Sequence, residues 1–79
     1  MPKLMDFHPD YQISTESIAR LRRETVDGTR DQFGVRQLEL FYSPRASGVY
    51  CLLEAPDEVA VRNHHNGHCN EVIEVESLL

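Results

Sequence analysis

The stretch "VRQLELFYSPRASGVYCLLEA", Val35 to Ala55, decides the fold. Its first part alternates Leu38, Leu40 and Tyr42 against more polar neighbours, the period-two pattern of a half-buried strand. "PRASG", Pro44 to Gly48, supplies turn residues. "VYCLLEA" is then apolar on both faces, which predicts a strand in the middle of a sheet. The segment therefore reads as strand, turn and strand.

Working outward, residues 3–8, "KLMDFH", alternate loosely and open the chain as a strand that Pro9 and Asp10 break. Ser14 or Thr15 can cap a helix after it. In "STESIARLRRETVDGTRDQF" the apolar Ile18 and Leu21 recur at helical spacing, Thr25 lies one turn on, and Phe33 closes the segment. Gly28 weakens that helix by about 1 kcal/mol, and Gly34 is expected to stop it. Downstream, Pro56 suits the first turn of a second helix, where its missing N–H costs nothing. That helix is expected to run through Val59, Val61 and Arg62 to Asn66 and Gly67, and "EVIEVES" alternates again as a last strand. The order βαββαβ predicts an α+β, ferredoxin-like domain spanning residues 1–79. It is an antiparallel four-stranded sheet with two helices on one face and the first and third strands central. The other face needs a cover, and a second copy of the chain is the simplest one, so a homodimer is expected.

Size and composition narrow the function. A chain of 79 residues buries only about 60% of its unfolded surface, so a lone monomer is marginally stable. Such domains commonly gain support from a metal, a disulfide or a partner. The composition, 41% hydrophobic and 27% charged, is that of a globular protein. Thirteen acidic against eight basic residues, a net charge of −5, leave no surplus of cations for phosphates, so no nucleic-acid partner is expected. The one basic cluster, "ARLRRE" from Ala19 to Glu24, is interleaved with Glu16, Glu24, Asp27 and Asp31 as a solvated helix face is. "VYCLL" is too short to cross a bilayer, and "MPKLMDFH" lacks the long apolar region of a secretion signal. A cytoplasmic protein with no membrane partner follows. In a reducing cytoplasm a disulfide between Cys51 and Cys69 is not expected.

The chemistry concentrates in "NHHNGHC", Asn63 to Cys69, which holds three of the four histidines and one of the two cysteines. From Glu54 onward the chain carries six acidic residues, one arginine and three histidines, a segment that attracts cations. The ferredoxin-like path brings that stretch to the end of the sheet where the first strand finishes at His8. His8, His64, His65, His68 and Cys69 should therefore meet at one rim, with Tyr50 and Cys51 near it. His64 and His68 are four apart, as are His65 and Cys69, a spacing that chelates on a continuous helix. Gly67, however, reads as the left-handed residue just past a helix end. Polar residues at a helix C-terminus explain the same letters, because imidazolium complements the helix dipole there. Imidazole with carboxylate or water suits nickel, copper, cobalt or zinc, and a thiolate shifts preference to softer ions. Cys51, inside an apolar run, is most simply a small buried hydrophobe.

"MPKLMDFH", "GVYCLLEAPDEVAV" and a His-rich turn before "NEVIEV" resemble a family of small ferredoxin-like domains that includes nickel-binding proteins. The resemblance covers nearly the whole chain, and "MDFH" and "YCLLEAP" are its most specific pieces. It implies a ferredoxin-like dimer and nickel as the metal. It aligns His8 with the histidine that ends the family's first strand, Cys51 and Glu54 with its "C-x-x-E-A-P" run, and His64 and His68 with its histidines after the second helix. Cys51 thereby joins the candidate metal ligands His8, His64, His65, His68 and Cys69. Arg22 and Arg23 stand where related chains often carry a helix histidine.

Three functional readings result. The first is a homodimer that binds a divalent transition metal, nickel foremost, in sequestration or sensing. The second is a cofactor-independent enzyme with His8 as general base beside Tyr50 or Asp6, although no nucleophile with its base, phosphate loop or paired carboxylates is visible. The third is a metal-independent interaction module.

Overall fold

The computed structural model describes residues 1–9, 14–65 and 71–79. Strand β1 (Lys3–Pro9) is followed by helix α1 (Thr15–Asp27), β2 (Arg36–Ser43), β3 (Gly48–Glu54), α2 (Glu58–His64) and β4 (Glu71–Val75). The four strands form one antiparallel sheet in the order β2-β3-β1-β4, so β1 and β3 are central as expected. This is the ferredoxin-like α+β arrangement.

Cross-strand register assigns the two faces. Leu4 lies opposite Leu53, Asp6 opposite Cys51 and His8 opposite Val49, while on the other side Asp6 lies opposite Val72. Residues opposite one another share a face, and this one is buried. Leu4, Val49, Cys51, Leu53 and Val72 form the core with Val35, Ala55 and, from α2, Ala60 and Val61. Phe33 and Leu40 pack against it. The alternate positions, Met5, Phe7, Phe41, Tyr50, Leu52, Ile73 and Val75, occupy the opposite face. Phe41 is 50% and Ile73 56% exposed. Among the described residues the sheet thus presents an apolar face that is partly open.

Local chemistry sets the element ends, and it shifts several expected boundaries. Ser14 caps α1 by accepting from the Ser17 amide at 3.1 Å, and the Ser17 hydroxyl accepts from the Ser14 amide in return. The helix stops at Gly28, six residues before the expected Gly34. Gly28 adopts φ 62° and its N–H closes on the Glu24 carbonyl, the left-handed cap for which glycine is favoured. Pro56 stands outside α2, because Asp57 is the cap, accepting from the Ala60 amide at 2.8 Å. That helix ends at His64 with His65 as its cap residue, short of Asn66 and Gly67, which lie outside the described residues. β4 ends at Val75, before Glu76 and Ser77.

In β2 the expected inward alternation of Leu38, Leu40 and Tyr42 is interrupted. Gln37 pairs with Leu53 and Glu39 with Leu52, so Leu38 is an extra residue of the kind that forms a bulge. Gln37 consequently turns into the core, and its side-chain amide donates to the Glu39 carbonyl at 2.8 Å across the irregularity. Leu40 keeps its place on the core, whereas Tyr42 on this edge strand is half exposed.

Candidate metal centre

β1 brings Leu4, Asp6 and His8 to the inner face in succession, because side chains alternate along a strand. Leu4 joins the core. Asp6 is a carboxylate placed where the pattern calls for an apolar residue, and it is 1% exposed. β3 delivers Cys51 directly opposite, buried at 2% exposure. The C-terminal end of α2 delivers His65 from above. Asp6, His8, Cys51 and His65 each offer one ligand atom, and these atoms all lie within 4.8 Å of one another.

The contacts are close and of an uncommon kind. His65 Nε2 stands 2.6 Å from Asp6 Oδ2, and His8 Nε2 stands 3.3 Å from Asp6 Oδ1. The two imidazole rings meet edge to face with centroids 4.5 Å apart. Despite the short separations, neither carboxylate oxygen of Asp6 nor Nε2 of His65 has a hydrogen bond of acceptable angle among the described residues. Asp6 is nonetheless held ionised. Burial by itself would raise its pKa, but His65 and His8 beside it outweigh that effect and hold the carboxyl well below the usual carboxylate range.

These features fit a metal. A metal–donor bond of about 2.0–2.3 Å, as for zinc, puts donors on opposite sides of one ion no more than about 4–4.6 Å apart. The 4.8 Å spread of the four donors approaches that span. A carboxylate oxygen, two imidazole nitrogens and a sulfur are also the donors that divalent transition metals take. An ion would bind the same oxygen and nitrogen atoms that face one another in the two histidine–carboxylate contacts.

The histidine-rich stretch divides. His65 joins His8 and Cys51, as the topology required. His64 takes another partner: its Nδ1 is hydrogen-bonded to Oδ2 of Asp31, its ring meets that of His65 edge to face with centroids 4.6 Å apart, and it is not among the four clustered residues. The Asp31 carboxyl lies below its ordinary pKa. Burial would raise it, but His64 and the backbone amides of Val35 and Phe33 outweigh that. His68 and Cys69 lie outside the described residues. Glu54 is far down β3 from Cys51 in register, opposite Lys3, and pairs with Arg30.

Asp6 is the residue that sequence reasoning missed as a donor. Its signal was the inward parity it shares with Leu4 and His8, since a lone carboxylate on the inner face of a central strand needs a buried partner. Among the described residues an apolar cleft of about 280 Å3 lies elsewhere, between α1 and β2, with Ile18, Leu21, Leu40, Tyr42 and Val49 in its walls. His8 is not among its lining residues, so that cleft gives a His8 general base no substrate pocket.

Known proteins agree with this architecture. The family described as "Nickel responsive protein SCO4226-like" matches residues 5–75. A crystal structure of SCO4226 from Streptomyces coelicolor A3(2) is similar in fold, with a TM-score of 0.74. It is 23% identical in sequence, and the match covers 98% of this chain and 99% of that one. Among curated proteins no match was found.

Proposed function

The chain belongs to the SCO4226-like family of nickel-responsive proteins, and from that premise we propose that it is a homodimeric binder of a divalent transition metal, nickel foremost. Asp6, His8, Cys51 and His65 hold the ion, and the protein acts in sequestration or sensing. One observation carries the reading: the buried Asp6 carboxylate faces His65 Nε2 at 2.6 Å with neither group aligned in a hydrogen bond among the described residues. Ionised Asp6 is hard and anionic, and the imidazoles and sulfur are borderline to soft, a mixture that favours late first-row metals over magnesium or calcium. A bound ion would place positive charge beside the buried carboxylate, where the two histidines now stand. His8 and His65 bind through nitrogens that face Asp6, and the core around Cys51 and Val72 excludes water from the inner side.

Support for the dimer comes from the open sheet face. Seven apolar side chains lie on that face, with Phe41 and Ile73 at least half exposed, and monomers rarely expose large apolar patches. A second copy laid on that face would bury it. Membrane and nucleic-acid partners are left out of the proposal: among the described residues no helix is long and apolar enough to cross a bilayer, and the charge of −5 disfavours phosphates.

Calorimetric titration of metal-stripped protein with nickel tests the site. Stoichiometric binding that Asp6→Asn and His65→Ala each abolish is expected, and binding of equal affinity in both variants would refute the assignment. Sedimentation of wild type and Ile73→Lys tests the dimer, with a monomeric variant expected; a wild type that sediments as a monomer would refute it.

A further inference from the structure

His64 and His65 are consecutive, yet they face different partners. Asp31, which takes His64, sits in the loop between α1 and β2, and that loop is closed upon itself. Asp31 Oδ1 accepts from the Phe33 amide at 2.9 Å and the Val35 amide at 3.0 Å. Its own amide donates to the Val35 carbonyl at 3.0 Å, and its carbonyl accepts from the Gly34 amide at 3.0 Å. Val35, at 1% exposure, anchors the loop in the core. The remaining oxygen, Oδ2, receives His64 Nδ1. A carboxylate can only accept, so this contact makes Nδ1 the protonated nitrogen of His64.

α2 has only seven residues. Its closing backbone bond, from the His65 amide to the Val61 carbonyl, is 3.2 Å. A helix this short gains little from its own hydrogen bonds, and its last turn frays unless tertiary contacts hold it. His65 is the cap residue of that turn, and its ring must reach a carboxylate on β1.

We propose that the Asp31–His64 pair is a positioning device: it fastens the end of α2 to the α1–β2 loop so that the next residue, His65, is held over Asp6. His64 is then a positioning residue and not a metal ligand. The inference rests on the metal-binding reading for its purpose, but the fastening itself is independent of metal.

Two substitutions separate the roles. In His64→Ala the tether is lost. In His64→Asn the side-chain amide nitrogen stands near the place of Nδ1 and can still donate to Asp31, while nothing replaces Nε2. Nickel titration followed by calorimetry should show affinity weakened about 10- to 100-fold in His64→Ala, as for loss of an outer-shell partner, and recovered in His64→Asn. Equal weakening in both would overturn the tether and trace the effect to the rest of the His64 ring, either its Nε2 as a ligand or its edge-to-face contact with His65 at 4.6 Å, and unchanged affinity in His64→Ala would mean that the tether positions nothing. Amide hydrogen exchange of Arg62 to His65 in the metal-free proteins is the second readout. Exchange at least about tenfold faster in His64→Ala, with wild-type rates in His64→Asn, is expected. Should wild type bind no nickel, the exchange rates still decide the tether: the expected pattern upholds it, and identical rates in all three proteins overturn it.

Discussion

Cys51 can be a ligand or merely a small core residue, and Cys51→Ala distinguishes the two through a thermodynamic cycle. The thiol is almost fully buried, at 2% exposure, opposite Asp6 on the central strand pair. Removing its sulfur deletes a group of roughly methylene size, worth about 0.8 kcal/mol in transfer, and leaves a void that adds a comparable amount. The metal-free variant should therefore be less stable by about 1–2 kcal/mol, which for a domain of this size lowers the melting temperature by roughly 5–15 °C. Nickel at one hundred times the wild-type dissociation constant stabilises the wild type by about 2.7 kcal/mol. Loss of a direct ligand should exceed the roughly 100-fold upper range for an outer-shell partner, so the same nickel concentration stabilises the variant by no more than about 0.4 kcal/mol. The gap between the two proteins thus widens on adding metal, from about 1–2 to about 3–4 kcal/mol. Urea melts at one fixed protein concentration, with and without nickel, measure it. A gap that stays the same while the wild type is stabilised would show Cys51 to be packing alone and leave a site of oxygen and nitrogen donors.

Gly48 touches the site from the strand side: a Cβ there would stand 2.5 Å from Phe7 Cε1 and 2.7 Å from the His8 carbonyl oxygen. Gly48→Ala should force β1 and β3 apart at His8, costing about 1–3 kcal/mol and weakening nickel binding, as chemical denaturation and calorimetry would show. Ser47 adopts φ 52° in the hairpin turn, a left-handed conformation that costs an L-residue about 1–2 kcal/mol. Ser47→Gly relieves that at an entropic cost of roughly 0.5–1 kcal/mol, so a net gain of about 0.5 kcal/mol is expected in the same melts. Asp31 has a depressed folded-state pKa, so the stability it confers is present above the unfolded carboxylate value, about 3.9, and is lost as pH falls through the lower folded value. The melting-temperature difference between wild type and Asp31→Asn should therefore shrink on acidification below about pH 4; a difference that grows in acid would contradict the account of Asp31 as a carboxylate stabilised by the hydrogen bonds it accepts.

The order of elements was legible because its signals are local. Alternation in "KLMDFH" and "EVIEV", helical spacing of Ile18 and Leu21, and capping by Ser14 each depend on residues within a turn or two. That order entails the sheet topology, and the topology entails that His8 and the end of α2 share a rim, so the neighbourhood of the site could be read in advance. Helix ends were less legible. Both Gly28 and Gly34 can end a helix, and the choice of Gly28 goes with a loop that folds upon Asp31 and seats Val35 in the core.

Which donors converge is a property of register and of contacts distant in sequence, and these the tertiary structure decided. Asp6 is a donor because β1 pairs with β3 so that it lies opposite Cys51, and a slip of β1 by one residue would turn it out of the core. His64 takes a different partner from its neighbour His65, although the two rings still meet edge to face, because a carboxylate 33 residues earlier receives it. Adjacent histidines are equivalent as letters. They differ only once a helix end and a loop have been brought together, since the energy that distinguishes them lies in partners that no local window contains.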